Sequence, residues 1–364
     1  MNILVAPCAY KGSIQASTLA QAIDRGLGLA GQVELLPMAD GGDDTLCCLK
    51  LSIGGDFVYA MVQDALGRRH QAAYLQAGRR AYVELAQASG IAGLERLDPL
   101  NAQTCGTGEL IALAMEQGAE EIVIFLGGSA STDGGAGALA ALGGQIRDAL
   151  GNDIVGGGNL GAVAKIDLQP VLSRAARIRF IVATDVVNPL LGPNGAAAVF
   201  GPQKGADPAQ VELLDRALAH FADCLEAAVS TGTTASYSRR NEPGAGAAGG
   251  TGFGLGVGLG AEIVSGFEYL AEVSRLGDKL AWADAVIVAE GALDEQSLSG
   301  KATGEILKLA RARGKKVWAL PARCKLSEQS RGLFDRIIET AQGRQAQVAD
   351  VELAAGLLRA AYLV

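Results

Sequence analysis

Residues 180–207 read FIVATDVVNPLLGPNGAAAVFGPQKGAD, and the order of features in this stretch decides the fold. A continuous apolar run ends at Ala183, and an acid, Asp185, comes soon after. Three turns come next, at Asn188-Pro189, Gly192-Pro193 and Gly201-Pro202, before Lys204-Gly205. A run without polar alternation predicts a strand covered on both faces, and hence a parallel sheet. An acid at a strand end and a lysine on a tight turn, over a backbone rich in N–H donors, suit a phosphorylated ligand and its metal ion.

The same unit recurs outward from this stretch. NILVAP (residues 2–7), VELLPM (33–38), EIVIFLGG (121–128), AVIVAEG (285–291) and KKVWALP (315–321) each read as a buried strand closing on a turn. After Lys11-Gly12 a helix is expected, with Ser13 or Ser17 as its N-cap. Residues 57–83 instead alternate around a turn at Leu66-Gly67, which predicts antiparallel hairpins. The glycine-rich stretches 151–161 and 244–260 read as loops. The expected fold is α/β: a doubly wound, largely parallel sheet domain with a second, smaller α/β domain inserted, and an active-site cleft between them. Residues 1–60 and 270–364 make the first domain, which is Rossmann-like, and residues 61–269 the inserted one.

Composition narrows the function. The chain has 364 residues, is 49% hydrophobic and carries a formal net charge of −8, which argues against nucleic-acid or anionic-membrane partners. An anionic ligand must then be drawn in by local lysines. The start lacks a basic region before its apolar run, so no signal peptide is expected. The most apolar long window, 244–261, is half glycine and makes a poor membrane helix. Six cysteines without a CxxC pair read as reduced thiols, consistent with a cytoplasmic protein. With two histidines in the chain, His triads and multi-His zinc sites are nearly excluded. Phosphoryl transfer, which depends on positioning and charge, fits a chain whose reactive groups are Asp, Glu, Lys and backbone amides.

Several clusters could carry that chemistry. GGSASTDGGAG (127–137) follows a strand and opens a helix, so Gly127, Gly128, Ser129, Asp133, Gly134 and Gly135 are candidate phosphate contacts. The alternative is a tight strand–helix turn capped by Ser and Asp. Residues 244–249 match GxGxxG literally, but no strand precedes them, so a dinucleotide fingerprint is not supported. Gly246, Gly249 and Gly250 then belong either to a packed loop or to one facing phosphate. SLSGKAT (297–303) fails the Walker A pattern at Glu295 and Ala302. Lys301 on its glycine turn can still meet phosphate, as can Lys204. Otherwise Lys301 is a solvated lysine at a helix start. Glu290 and Asp294, past a strand end, could hold Mg²⁺, or simply favour a helix N-terminus. Asp40 and Asp185 are the candidate catalytic acids. Lys11, after the first strand, is either a carboxylate or phosphate partner or a surface lysine.

Together these pieces resemble the bacterial glycerate kinase family often called type 1, over nearly the whole chain. KGS after the first strand and PMADGGDDT (37–45) resemble its N-terminal segments. GGSASTDGGAG, VATDVVNPLLGPNGAAAVFGPQKGA, PGAGAAGGTGFGL and EGALDEQSLSGK come in the same order. Cys8-Ala9-Tyr10, Asp43-Asp44, Ala289, Ala292 and Leu320-Pro321-Ala322 depart from the usual residues. The resemblance implies transfer of the ATP γ-phosphoryl group to D-glycerate with Mg²⁺, giving 2-phosphoglycerate more often than 3-phosphoglycerate. On that reading Lys11 neutralises carboxylate or phosphate, and Asp40 or Asp185 orients or deprotonates the hydroxyl. The two glycine-rich segments cradle nucleotide phosphate, Glu290 and Asp294 handle the metal, and Lys204 and Lys301 balance charge. The expected partners are small molecules, and the expected assembly is a monomer or homodimer. The departures leave a non-catalytic glycerate-binding or regulatory homologue as the alternative.

Overall fold

The structure is a computed structural model that describes residues 1–29, 31–39, 41–42, 44–229, 238–298, 301–341 and 344–362. The chain opens with β1 (Ile3–Val5), α1 (Ala16–Leu27), β2 (Val33–Leu35) and α2 (Thr45–Ile53). An antiparallel meander comes next, β3 (Asp56–Gln63), β4 (Arg69–Ala77) and β5 (Arg80–Glu84). It leads to α3 (Ala86–Ser89), α4 (Cys105–Glu116), β6 (Glu121–Phe125) and α5 (Ala136–Ala141). The antiparallel pair β7 (Gln145–Arg147) and β8 (Lys165–Asp167) precedes α6 (Gln169–Ala175), β9 (Arg179–Ala183) and α7 (Ala196–Phe200). Beyond α7 lie α8 (Pro208–Val229), α9 (Ala247–Gly258), β10 (Glu262–Val264), α10 (Gly266–Val273) and α11 (Leu276–Trp282). The C-terminal part runs β11 (Ala285–Val288), β12 (Ala292–Leu293), α12 (Ala302–Ala312), β13 (Lys316–Ala319) and β14 (Arg323–Cys324). It closes with α13 (Glu328–Arg331), β15 (Arg336–Ile337) and α14 (Val348–Tyr362).

Two compact units result. A terminal unit holds Met1–Asp40, Cys47–Gly54 and Phe267–Val364, and an inserted unit holds Gly41–Leu46 and Gly55–Gly266. The inserted unit is the larger, against the expectation of a smaller insertion. It carries the longer sheet and its own helical layer.

In the terminal unit the sheet order is β15-β13-β11-β1-β2, all parallel. Ile3, Val5, Ile287 and Trp318 bury one sheet face against Leu19 and Ile23 of α1 and Val351 and Leu358 of α14. Leu4, Val286 and Val317, which alternate with them, are equally buried, so both faces are covered and the apolar runs need no polar positions. The two helices pack closely because Gly26 lacks a side chain: a Cβ there would lie 2.3 Å from the Glu352 carbonyl oxygen. Neither serine caps α1. Its N-cap is Gln15, without a side-chain bond, and Ser13 donates instead to the Tyr10 carbonyl at 3.1 Å.

In the inserted unit the order is β10-β9-β6-β5-β4-β3, with β10, β9, β6 and β5 parallel and the hairpins antiparallel. The β3–β4 turn is organised by Asp64, whose Oδ1 accepts from the amides of Leu66 at 2.8 Å and Arg68 at 2.9 Å. One core joins Val83, Ile122, Ile124 and Val182 of the sheet to helices that include Leu110 of α4, Phe221 of α8 and Phe253 of α9. The stretch 244–260 is therefore not a loop: most of it is α9, whose first turn carries left-handed φ at Ala248, Gly249 and Gly250 before regular helix resumes. Burial against α5, α7 and α8 overrides the poor helix propensity of its glycines.

Candidate active site

Both main sheets carry candidate residues at the carboxyl ends of their parallel strands, where open α/β sheets bind ligands. In the terminal unit the chain winds from β1 to β2 in one direction and from β11 to β13 in the other. The switch point therefore lies between the neighbours β1 and β11. Lys11 follows β1 there and is exposed. Its loop is anchored by the buried Tyr10, whose hydroxyl donates to the Leu320 carbonyl at 2.5 Å and lies 3.1 Å from Thr340 Oγ1. Tyr10, in one segment that departs from the family pattern, is thus tied to the main chain at the start of another, Leu320-Pro321-Ala322. The β11 exit passes close by: a Cβ on Gly291 would lie 3.3 Å from Tyr10 Cα and 3.4 Å from the Lys11 amide nitrogen.

Glu290 leaves the same strand end. Burial pushes its carboxyl above the usual range, against the pull of Ser297, Lys301 and Thr303. Its Oε2 is buried with no hydrogen-bond partner among the described residues, and Lys301 Nζ lies 3.8 Å from Oε1. Burial also opposes ionisation of Asp294, but the Ser297 amide at 3.1 Å and the charge of Lys301 prevail and hold its carboxyl low. Lys11, Glu290, Asp294 and Lys301 thus share one edge of one unit. Asp40 lies outside the described residues.

The inserted unit has a corresponding edge. Glu84, Phe125, Ala183 and Val264 are in register across β5, β6, β9 and β10, so the segments leaving these strands emerge side by side. Asp185 lies just past β9, and its Oδ1 accepts from Ser265 Oγ at 2.9 Å, just past β10. Gly127 lies just past β6 and donates its amide to the Gly41 carbonyl at 2.9 Å. Glu84 closes β5 almost wholly buried, with Oε2 accepting from the Leu46 amide at 3.3 Å. Glu84 and Ser265 are not among the residues expected from the sequence. The signal for Glu84 is the one that marks Asp185, an acid closing a strand.

The glycine-rich segments split into an open part and a locked part. Gly127, Gly128 and Ser129 reach the surface, whereas 130–137 and 244–250 are buried. Asp133 Oδ2 accepts from the Thr104 amide and hydroxyl, both at 2.8 Å, and from the Gly137 amide at 3.1 Å, pinning the loop to the start of α4. Gly134 donates its amide to the Gly249 carbonyl at 3.0 Å. A Cβ on Gly249 would lie 2.2 Å from the Ser131 carbonyl oxygen, and one on Gly250 2.7 Å from a Leu190 methyl. A Cβ on Gly246 would lie 2.2 Å from the Pro189 carbonyl oxygen. These glycines let two backbone segments touch. Lys204, 2% exposed, donates to Ser129 Oγ at 2.8 Å and to the Ser131 carbonyl. Burial lowers its pKa to about 7, with Asp133 acting the other way.

Comparison with known proteins decides the family. A sequence model described as "Glycerate kinase family" matches residues 3–361. The chain belongs to the glycerate kinase family. It is 40% identical over 309 residues to the glycerate 2-kinase of Escherichia coli (strain K12), covering 83% of this chain and 80% of that protein. It is also 40% identical over 320 residues to the glycerate kinase of Bacillus subtilis (strain 168), covering 86% and 82%. A crystal structure of a candidate glycerate kinase 2 from Salmonella typhimurium LT2 superposes with a TM-score of 0.85 at 35% identity, covering 99% of this chain and 98% of that one. This family member is an ATP-dependent kinase of mixed α/β fold with largely parallel sheets. No helix among the described residues is long and apolar enough to cross a membrane.

Proposed function

We propose that this protein transfers the γ-phosphoryl group of ATP to the 2-hydroxyl of D-glycerate, giving 2-phosphoglycerate and ADP. The observation that carries the reading is the family match over residues 3–361, and the 2-kinase name of the E. coli relative supports the position of transfer. The alternative of a non-catalytic homologue is not favoured by relatives that carry kinase names.

On this reading each strand edge has its own task. In the terminal unit Lys11 meets a carboxylate or phosphate as an exposed point charge. The donor set there suits Mg²⁺, which takes one or two carboxylates together with substrate phosphates. Glu290 offers a buried oxygen without a hydrogen-bond donor among the described residues, and Asp294 a carboxyl held ionised. These two would hold the metal, which when bound neutralises charge on the phosphates. Lys301, beside Glu290, adds positive charge to the same edge.

In the inserted unit the open strip Gly127–Ser129 takes phosphate oxygen, while the buried glycines Gly134, Gly135, Gly246, Gly249 and Gly250 hold the strip's shape, with Asp133 as its peg. Asp185, or Asp40, accepts the proton of the attacking hydroxyl as the O–P bond forms and ADP leaves. Ser265 fixes the rotation of the Asp185 carboxylate. We also propose that residues 1–60 with 270–364, and 61–269, act as separate domains of a cytoplasmic monomer or homodimer. Phosphorus NMR of a reaction with MgATP and D-glycerate tests the activity. The expected product is 2-phosphoglycerate. Formation of 3-phosphoglycerate overturns the position, and no ADP release overturns the kinase reading.

A further inference from the structure

We propose that Lys204 is a positioning residue that works through Ser129: by donating to Ser129 Oγ it turns the Ser129 hydroxyl proton outward, as a donor to the phosphate oxygen of a nucleotide. The inference rests on the reading that the strip Gly127–Ser129 meets phosphate.

The argument begins with burial. Lys204 is 2% exposed, and its ammonium is held at two points, Ser129 Oγ at 2.8 Å and the Ser131 carbonyl. A group so enclosed does not itself reach a ligand. Ser129, by contrast, is only part-buried and follows the exposed Gly128. Donor and acceptor chemistry fixes the polarity of the bond between them. An ammonium has donors and no acceptor, while a hydroxyl has one donor and two acceptor lone pairs. The Lys204–Ser129 bond therefore uses a lone pair of Oγ and leaves the hydroxyl proton to another partner.

The backbone around Ser129 leaves little else to adjust. The Gly128 carbonyl accepts from the Ile91 amide at 2.9 Å, and the Ala130 amide donates to the Ser89 carbonyl at 2.9 Å. With the main chain held on both sides, the hydroxyl orientation is the remaining variable, and Lys204 sets it. Charge acts in the same direction. The ammonium's two partners are neutral oxygens, and the carboxylate that acts on it, Asp133, is committed to Thr104 and to the amides of Gly135 and Gly137. A hydroxyl polarised by a cation is a stronger donor to an anion.

The test is a double-mutant cycle on the full-length protein, with MgADP as the probe in calorimetry and the KM for MgATP alongside. Ser129→Ala is expected to weaken MgADP about tenfold. Lys204→Met is expected to weaken it several-fold, and the double variant to bind no more weakly than Ser129→Ala. KM for MgATP should change in parallel, with kcat changed less. If the two losses multiply, Lys204 acts independently of Ser129 and the positioning role falls, while the phosphate reading of the strip stands. If Ser129→Ala binds MgADP like the wild type, the phosphate reading falls, and the proposal with it.

A second measurement needs no lysine variant, should Lys204→Met fail to fold. As pH rises through about 7, Lys204 loses its proton and gains a lone pair, so the hydrogen bond can reverse and draw the Ser129 proton inward. Wild-type MgADP affinity should fall between about pH 6.5 and 8.5 relative to that of Ser129→Ala, in which the step is absent. Parallel pH profiles in the two proteins would overturn the proposal.

Discussion

The two strand edges solve one problem differently. At the β1/β11 edge of the terminal unit the candidate groups are side chains: Lys11 and Lys301 are exposed, and the largely buried Glu290 carboxylate has an oxygen lacking a hydrogen bond among the described residues. At the β5/β6/β9/β10 edge of the inserted unit, much of the structure is backbone packed on backbone, and the candidate residues that come to the surface are Gly127–Ser129, Asp185 and Ser265. Charged side chains at an edge can be exchanged with local loss. A locked glycine lattice fails as a whole, because the missing Cβ positions are already taken, by carbonyl oxygens at Gly246 and Gly249, by a Leu190 methyl at Gly250 and by the Phe221 ring at Gly134.

The sharpest way to break this contrast is to add one methyl group to each unit. Gly249→Ala places a Cβ 2.2 Å from the Ser131 carbonyl at a φ of +65°, so strain and overlap add. We expect a loss of roughly 3 kcal/mol, read as a melting temperature lower by about 6 °C or more. Gly12→Ala in the Lys11 turn has φ +77° but nothing within 4 Å, and should lose only about 1 kcal/mol. Equal shifts in thermal denaturation would remove the distinction between the two edges.

Chemistry comes next in size. Asp185→Asn should lower turnover at least tenfold, about 1.4 kcal/mol or more, because the amide cannot take the hydroxyl proton. Near-wild-type kcat would sink Asp185 as the base and leave Asp40 in that role. In the other unit Glu290→Gln should raise the Mg²⁺ concentration for half-maximal activity about tenfold, because an amide oxygen is a weaker ligand for a hard cation. An unchanged Mg²⁺ titration would remove Glu290 from the metal site.

The legibility of these edges in the sequence obeys the same physics. β1, β6, β9, β11 and β13 are legible because a strand buried on both faces must be continuously apolar. β12, β14 and β15, at two residues each, carry too little pattern to read. The segment 244–260 reads wrongly because glycine content argues for a loop, whereas burial of most of it makes residues 247–258 into α9. The role of Gly246, Gly249 and Gly250 is illegible for a deeper reason. A glycine that admits a phosphate and a glycine that admits a neighbouring carbonyl both owe their identity to an absent Cβ. The N-cap of α1 escapes the pattern because Ser13 finds the Tyr10 carbonyl as a partner. Glu84 is hidden because its strand belongs to the meander, where alternation dominates the pattern.

The buried lysine gives the inserted unit a pH dependence of its own. Lys204 has a folded pKa of about 7 against an ordinary value of 10.5. Between these values the unfolded chain holds a proton that the folded chain has released, so this group makes stability rise with pH across that window. Below about 7 both states are protonated and its contribution is flat. Lys204→Met should therefore flatten the pH dependence of the melting temperature between about pH 7 and 10, with a slope difference of at most about 1.4 kcal/mol per pH unit. Identical slopes in wild type and variant would mean that Lys204 keeps its proton when folded.

The smallest effect expected is at the exposed end of the comparison. Lys301 Nζ stands 3.8 Å from Glu290 Oε1, with the lysine side chain 49% exposed and the glutamate 15%. Water screens such a pair, and pairs with an exposed partner contribute roughly 0–1 kcal/mol. Lys301 also lies among the influences that draw the Glu290 carboxyl down against its burial. Removing that charge in Lys301→Ala should let the carboxyl rise further and compete slightly less well for Mg²⁺ at low pH. The expected change in the Mg²⁺ half-saturation is under about threefold near pH 7.5, growing as pH falls toward about 6. A loss of about tenfold at the higher pH, matching that of Glu290→Gln, would instead mean that Lys301 touches the phosphate directly, and that the terminal edge is as tightly coupled as the glycine lattice of the inserted one.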